Sequence, residues 1–116
     1  MEDREQIIQR EKKWIELRKN LLGQFGKAPD MNAILLLIGI NELGRIKKEF
    51  TKEEKQDLMH IAVCKLLSKQ GYYEFIGTDD EGWPHYQPLK TPENMQFRDQ
   101  EELLKDTIIE YFENNM

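Results

Sequence analysis

Both histidines, His60 and His85, the single cysteine, Cys64, and one of the two tryptophans, Trp83, fall between Thr51 and Pro88 of this 116-residue chain. Imidazole nitrogen and thiolate sulfur are the side-chain atoms best suited to holding a soft metal or moving a proton near neutral pH. His60 and Cys64 stand four residues apart, which places them on one face of a helix. With His85 and a carboxylate they make a candidate zinc set, His60, Cys64 and His85, but no CxxC or HxxxH motif supplies the remaining ligands. No metal or other cofactor is therefore expected. A Cys64–His60 nucleophile pair lacks the exposed, electropositive surroundings that a reactive thiolate needs. The competing reading is structural: a histidine at the edge of a core and a cysteine acting as a small buried hydrophobe.

Glu42 is the most unusual charge. At about 100° of rotation per residue it falls beside Leu35, Ile38 and Gly39, on the apolar surface of a helix. A carboxylate there must find a partner or take up a proton. One reading has it reach a polar rim in the last turn and pair with a lysine or arginine. The other joins Glu42 to His60 and His85 as the catalytic set of a metal-dependent or acid–base enzyme. Whether the chain is an enzyme stays open at this level.

Aromatic rings concentrate just downstream. Tyr72, Tyr73 and Phe75 precede Asp79-Asp80-Glu81-Gly82, and Trp83, His85 and Tyr86 follow it. A type I turn closed by a left-handed glycine suits such a loop, so the segment reads as a β-hairpin over 72–87. Pro84 and Pro88 lack an N–H, which makes the second strand a short edge. An isolated hairpin is marginal in water, so some rings pack on helices and any left outside form an adhesive patch. Tyr73, Phe75, Trp83, His85 and Tyr86 are the candidate binding surface. The acidic loop lacks the alternating ligand spacing of a calcium site and reads as a solvated turn.

Four helices are expected to position these groups. Residues 3–22 form an amphipathic helix with Ile7, Ile8, Trp14, Ile15, Leu21 and Leu22 on its apolar stripe, acidic residues leading and Arg18 and Lys19 closing it. Glu11 and Arg18 project near the middle of that stripe, so it is not a dry coiled-coil seam; it packs on its own domain or pairs with a second subunit. Gly23, Gly26 and Pro29 break the chain. Asp30 caps a second helix from Met31 to Leu43 that is apolar on nearly every side, the mark of a buried element, with Gly44 as its stop. After a polar connector at Lys47, Lys48 and Glu49, Thr51 and Glu54 form a capping box. The third helix follows, with Leu58, Met59, Ala62, Val63, Leu66 and Leu67 on its apolar face and Gly71 as its stop. Beyond an irregular stretch from Pro92 to Phe97, Asp99 and Glu102 suggest a second capping box opening a last helix to Asn114.

The totals fit one domain over 1–116, with a helical core and hairpin inside 30–114. A net charge of −5 repels phosphate backbones and anionic lipid. Helix followed by hairpin is also the order of a winged-helix DNA reader, but the recognition helix would begin KEEKQDLMH and the wing would carry Asp79, Asp80 and Glu81, so nucleic acid is a disfavoured partner. The acidic start MEDREQIIQR is unlike a secretory signal, and the apolar run Ala33 to Ile40 is too short to span a bilayer. A cytoplasmic setting away from membranes is expected.

The segments LIGINELG, FTKEEKQDLMHIAVCKLLS, GYYEFIGTDDEGWPHY and IIEYF, in that order, resemble a family of small, mainly helical bacterial proteins of unknown function found chiefly in Bacteroidetes. The resemblance covers Asp30 to Phe112 and is most specific at LMHIAVCKLL and DEGWPH. It implies a helical fold and a bacterial cytosolic setting, and it assigns no functional residue. Together these readings predict a mainly α domain, α+β at the margin, with a short hairpin between its third and fourth helices. Its expected function is that of a non-enzymatic interaction module whose partner is another protein or a second copy of itself.

Overall fold

The computed structural model describes residues 3–44, 49–89 and 97–114. The fold is mainly α, with a two-stranded antiparallel hairpin after the helix that carries His60 and Cys64. Its residues divide into two compact units, Met1–Asp30 with Gln96–Met116, and Met31–Met95. The connector at Lys47 and Lys48 and the stretch from Pro92 lie outside the described residues. Among those described, no helix is long and apolar enough to cross a membrane.

The first unit is built from α1 (Arg4–Asn20), α2 (Leu22–Phe25) and α5 (Phe97–Asn114). Asp3 caps α1 through a reciprocal box with Gln6, which satisfies main-chain donors that the first turn leaves open. Only Leu21 separates α1 from the single turn of α2, and its backbone stays right-handed. The expected single stripe on α1 is corrected. Its buried residues are Arg10, Trp14 and Leu17, continued by Leu21, while Ile7, Ile8, Ile15 and Leu22 are exposed. The physical reason lies on α5. Asp106 takes Nε and Nη2 of Arg10 in a two-pronged grip at 2.8 and 3.0 Å, and Glu102 takes Nη1. That turns the Arg10 face inward, where Ile109 lines a groove with Arg10 and, with Phe112, another with Leu17. α5 itself starts at Phe97, so Asp99 lies inside the helix rather than at its cap, and Glu102 is engaged by Arg10.

The second unit contains α3 (Met31–Leu43), α4 (Lys52–Ser68), β1 (Tyr73–Thr78) and β2 (Pro84–Pro88). Thr51 and Glu54 form the expected capping box at α4. α3 packs against α4 through Ile34, Leu35, Ile38 and Gly39 on one side and Leu58, Ile61, Ala62 and Leu66 on the other. α3 is not enclosed on every side: Leu36, Leu37 and Ile40 remain half-buried. The hairpin then folds back on α4. Its register pairs Tyr73 with Pro88 and Phe75 with Tyr86, with Ile76 left over as a bulge before Gly77, whose φ of +122° favours glycine.

Candidate functional site

α4 and the hairpin enclose a cleft of about 510 Å³. One wall is a face of α4, where Glu54, Asp57, His60, Ile61 and Cys64 recur at helical spacing. The other wall is the turn and second strand, with Asp79, Glu81, Trp83, Pro84, His85 and Tyr86. No lysine or arginine is among these described lining residues, whereas four are carboxylates.

The turn is built around Asp79. Its main-chain N–H donates to the Trp83 carbonyl at 2.9 Å, and its own carbonyl accepts from Gly82, which sits at φ +88°. The Asp79 side chain accepts from the main-chain N–H of Glu81 and of Trp83, at 2.9 and 3.0 Å. Its second oxygen lies 2.9 Å from Nε2 of His85. The His85 contact, followed by the Trp83 N–H, holds the Asp79 carboxyl below its usual range. The turn is thus knit by one aspartate that also orients the His85 ring.

On the opposite wall, Nε2 of His60 lies 3.5 Å from Sγ of Cys64, and the His60 ring meets Tyr73 edge-on at 6.2 Å. Burial pushes the Cys64 thiol up to about 11, so at neutral pH it is a protonated, hidden group rather than a nucleophile. Burial also raises Tyr73 and Tyr86. Tyr73, Trp83 and Tyr86 are half-buried, while Phe75 packs edge-on against Tyr86 at 5.5 Å and remains 53% exposed. Part of the aromatic surface is therefore packed, and Phe75 with its neighbour Ile76 is left outside.

His60, Cys64 and His85 do share one cleft, as do Trp83 and Tyr86. Glu42 is not among the lining residues; it lies 3.7 Å from Nζ of Lys65 at the end of α3, an ion pair between neighbouring helices. Among the described residues no three histidine, cysteine or acidic side chains converge as metal ligands. Glu54, Asp57, Ile61, Asp79, Glu81 and Pro84 are the cleft residues that the sequence did not single out as site residues. The signal for the first two was present, because they lie one helical turn apart and lead into His60 and Cys64 on the same face.

A larger groove of about 600 Å³ lies between α1 and α5, but Arg10 and Asp106, and Lys13 and Glu113, face one another there as ion pairs. Its described lining residues include neither histidine nor cysteine. No protein-family model, curated protein or solved structure matches the chain.

Proposed function

We propose that the chain is a non-enzymatic protein-interaction module of the bacterial cytoplasm, and that its α4–hairpin cleft receives a cationic side chain of the partner. The observation that carries this reading is the lining of the cleft. Glu54, Asp57, Asp79 and Glu81 line it together with Trp83 and Tyr86, with no lysine or arginine among the described lining residues. Two histidines do not offset four carboxylates at neutral pH, so the cavity favours positive charge. An ammonium or guanidinium entering it gains both carboxylate contacts and the faces of aromatic rings. Exposed Phe75 and Ile76 add an apolar rim on the same hairpin. The same acidic lining disfavours nucleic acid.

Titration of the labelled protein with arginine- or lysine-containing peptides, followed by NMR, tests the reading. The expected result is a saturable shift of the Trp83 indole, Tyr86 and His85 signals, absent with glutamate counterparts and lost in Trp83→Ala. Equal response to acidic and basic peptides, or no response at millimolar peptide, would overturn it.

A further inference from the structure

Besides its buried face, α1 carries a second apolar stripe. At 3.6 residues per turn, Ile8, Glu11, Ile15, Arg18 and Leu22 fall within an arc of about 80°, centred roughly 110° from the Arg10, Trp14, Leu17 and Leu21 face. Ile8, Ile15 and Leu22 are 43%, 50% and 46% exposed. Leu21 keeps the stripe continuous into α2, since its φ of −88° and ψ of −4° remain right-handed. Isoleucine or leucine at strict seven-residue spacing, exposed three times over about 21 Å of helix, is the pattern of one helix laid against another.

The two charges on the stripe specify what lies opposite. Glu11 and Arg18 sit almost symmetrically about Ile15, with opposite sign. A second copy laid antiparallel, with its two-fold axis at Ile15, sets Ile8 against the partner's Leu22, Ile15 against the partner's Ile15, and Glu11 against the partner's Arg18. A parallel copy instead stacks Glu11 on Glu11 and Arg18 on Arg18. Both side chains retain hydrogen-bonding capacity outward. Among the described residues Arg18 uses Nε, toward the Pro29 carbonyl at 2.7 Å, and Lys105 meets Oε1 of Glu11, at 3.1 Å.

We propose that this face of α1 is a self-association surface on which two copies of the chain pair antiparallel about Ile15. The contact is isologous, so it closes at a dimer. Three half-exposed aliphatic side chains per copy fall well short of the ~800 Å² per partner of a standard interface, so the dimer is reversible and weaker than about 1 μM. Its consequence is two copies of the α4–hairpin cleft on one particle, which raises avidity for a repetitive partner. The pairing does not depend on the function proposed for that cleft.

Sedimentation equilibrium from about 1 μM to about 1 mM brackets such an interface. The expected result is a monomer–dimer equilibrium that Ile15→Glu shifts to monomer with an unchanged circular-dichroism spectrum. Disulfide trapping fixes the geometry. Ile15→Cys should cross-link to itself on oxidation, and a mixture of Ile8→Cys and Leu22→Cys should cross-link to each other. Ile8→Cys alone should not, because its two copies lie about 21 Å apart in the antiparallel arrangement. A monomer at every concentration overturns the proposal. So does a dimer that survives Ile15→Glu, or one in which Ile8→Cys links to itself as fast as Ile15→Cys.

Discussion

Gly39 meets the main chain of Leu58 so closely that a β-carbon built on it would lie 2.1 Å from the Leu58 carbonyl oxygen and 2.6 Å from the carbonyl carbon. The obstacle is backbone, which cannot rotate out of the way, so any side chain at this position must drive α3 and α4 apart. Ile34, Ile38, Leu58 and Ala62 are all fully buried beside that contact. Gly39→Ala is therefore expected to cost about 3 kcal/mol or more, well beyond the ~1 kcal/mol that alanine gains over glycine in a helix. Gly23→Ala is the control, because nothing lies within 4 Å of its added carbon. That variant should be neutral or slightly stabilising. Urea denaturation of the two variants beside the parent chain checks the contrast, and equal midpoints for both would refute the close-approach account.

Arg10 holds the second non-local contact. Its side chain is 4% exposed, whereas Glu102 and Asp106 are 23% and 51% exposed. The fork geometry of the Asp106 pair needs a guanidinium, since lysine cannot donate two parallel bonds. Arg10→Ala also leaves two carboxylates one helical turn apart without their shared cation. Solvent around Asp106 screens the pair, so the expected loss is about 2 kcal/mol rather than the 3–5 of a fully buried one. Arg10→Lys should recover part of it. A denaturation midpoint that moves by less than the error in Arg10→Ala would show that the grip contributes nothing.

These two contacts also mark where reading the sequence stops. The Thr51–Glu54 box, the Gly71 stop and the Asp79–Gly82 turn were legible because each is decided within five residues by local hydrogen bonding. The facing of α1 was not, because its sequence carries two apolar stripes. The choice between them is made by carboxylates more than ninety residues away. Gly39 looked incidental within an apolar run because the Leu58 main chain that demands it belongs to another helix. At the site, four-residue spacing placed His60 with Cys64 correctly. That His85 and Asp79 close the same cleft depends on how the hairpin folds back, which no local pattern encodes. Glu42 shows the converse: its anomalous position was visible, but its proximity to Lys65 needed α4 in place.

The Asp79 carboxyl is depressed by His85 first, then by the Trp83 and Glu81 N–H groups, and this gives the turn a pH dependence with a definite sign. A carboxyl whose folded value lies below its unfolded one stabilises the folded turn fully above the ordinary value near 4. That contribution is lost as pH falls through the lower folded value. The amide signals of Glu81 and Trp83 should therefore titrate with a midpoint below that of an ordinary aspartate. Asp79→Asn keeps an oxygen for both N–H donors and should preserve the turn while releasing His85. Asp79→Ala should lose both. A midpoint at or above the ordinary value would show that the carboxylate is not held.

Cys64 gives the opposite sign at the other end of the scale. Its thiol is 1% exposed and is pushed up to about 11 by burial, while an unfolded cysteine ionises near 8.5–9. A folded value raised above the unfolded one means that the stability linked to the protonated thiol is complete below pH 9 and drains away as pH rises toward 11. Two units correspond to a loss of about 2 to 3 kcal/mol across that interval. Tyr73 and Tyr86 are raised by the same burial, so the thiol must be isolated by comparison with Cys64→Ala. That variant opens a small cavity and should cost about 1 kcal/mol at pH 7. Its deficit should shrink and then reverse between pH 9 and 11, because alanine has no proton to lose. Alkylation by iodoacetamide at pH 8 supplies an independent reading. It should proceed at the rate at which the α4–hairpin unit opens, slowly in the native protein and rapidly in urea. Parallel stability curves for the two proteins, together with fast native-state alkylation, would place the thiol at the surface of the cleft rather than behind it.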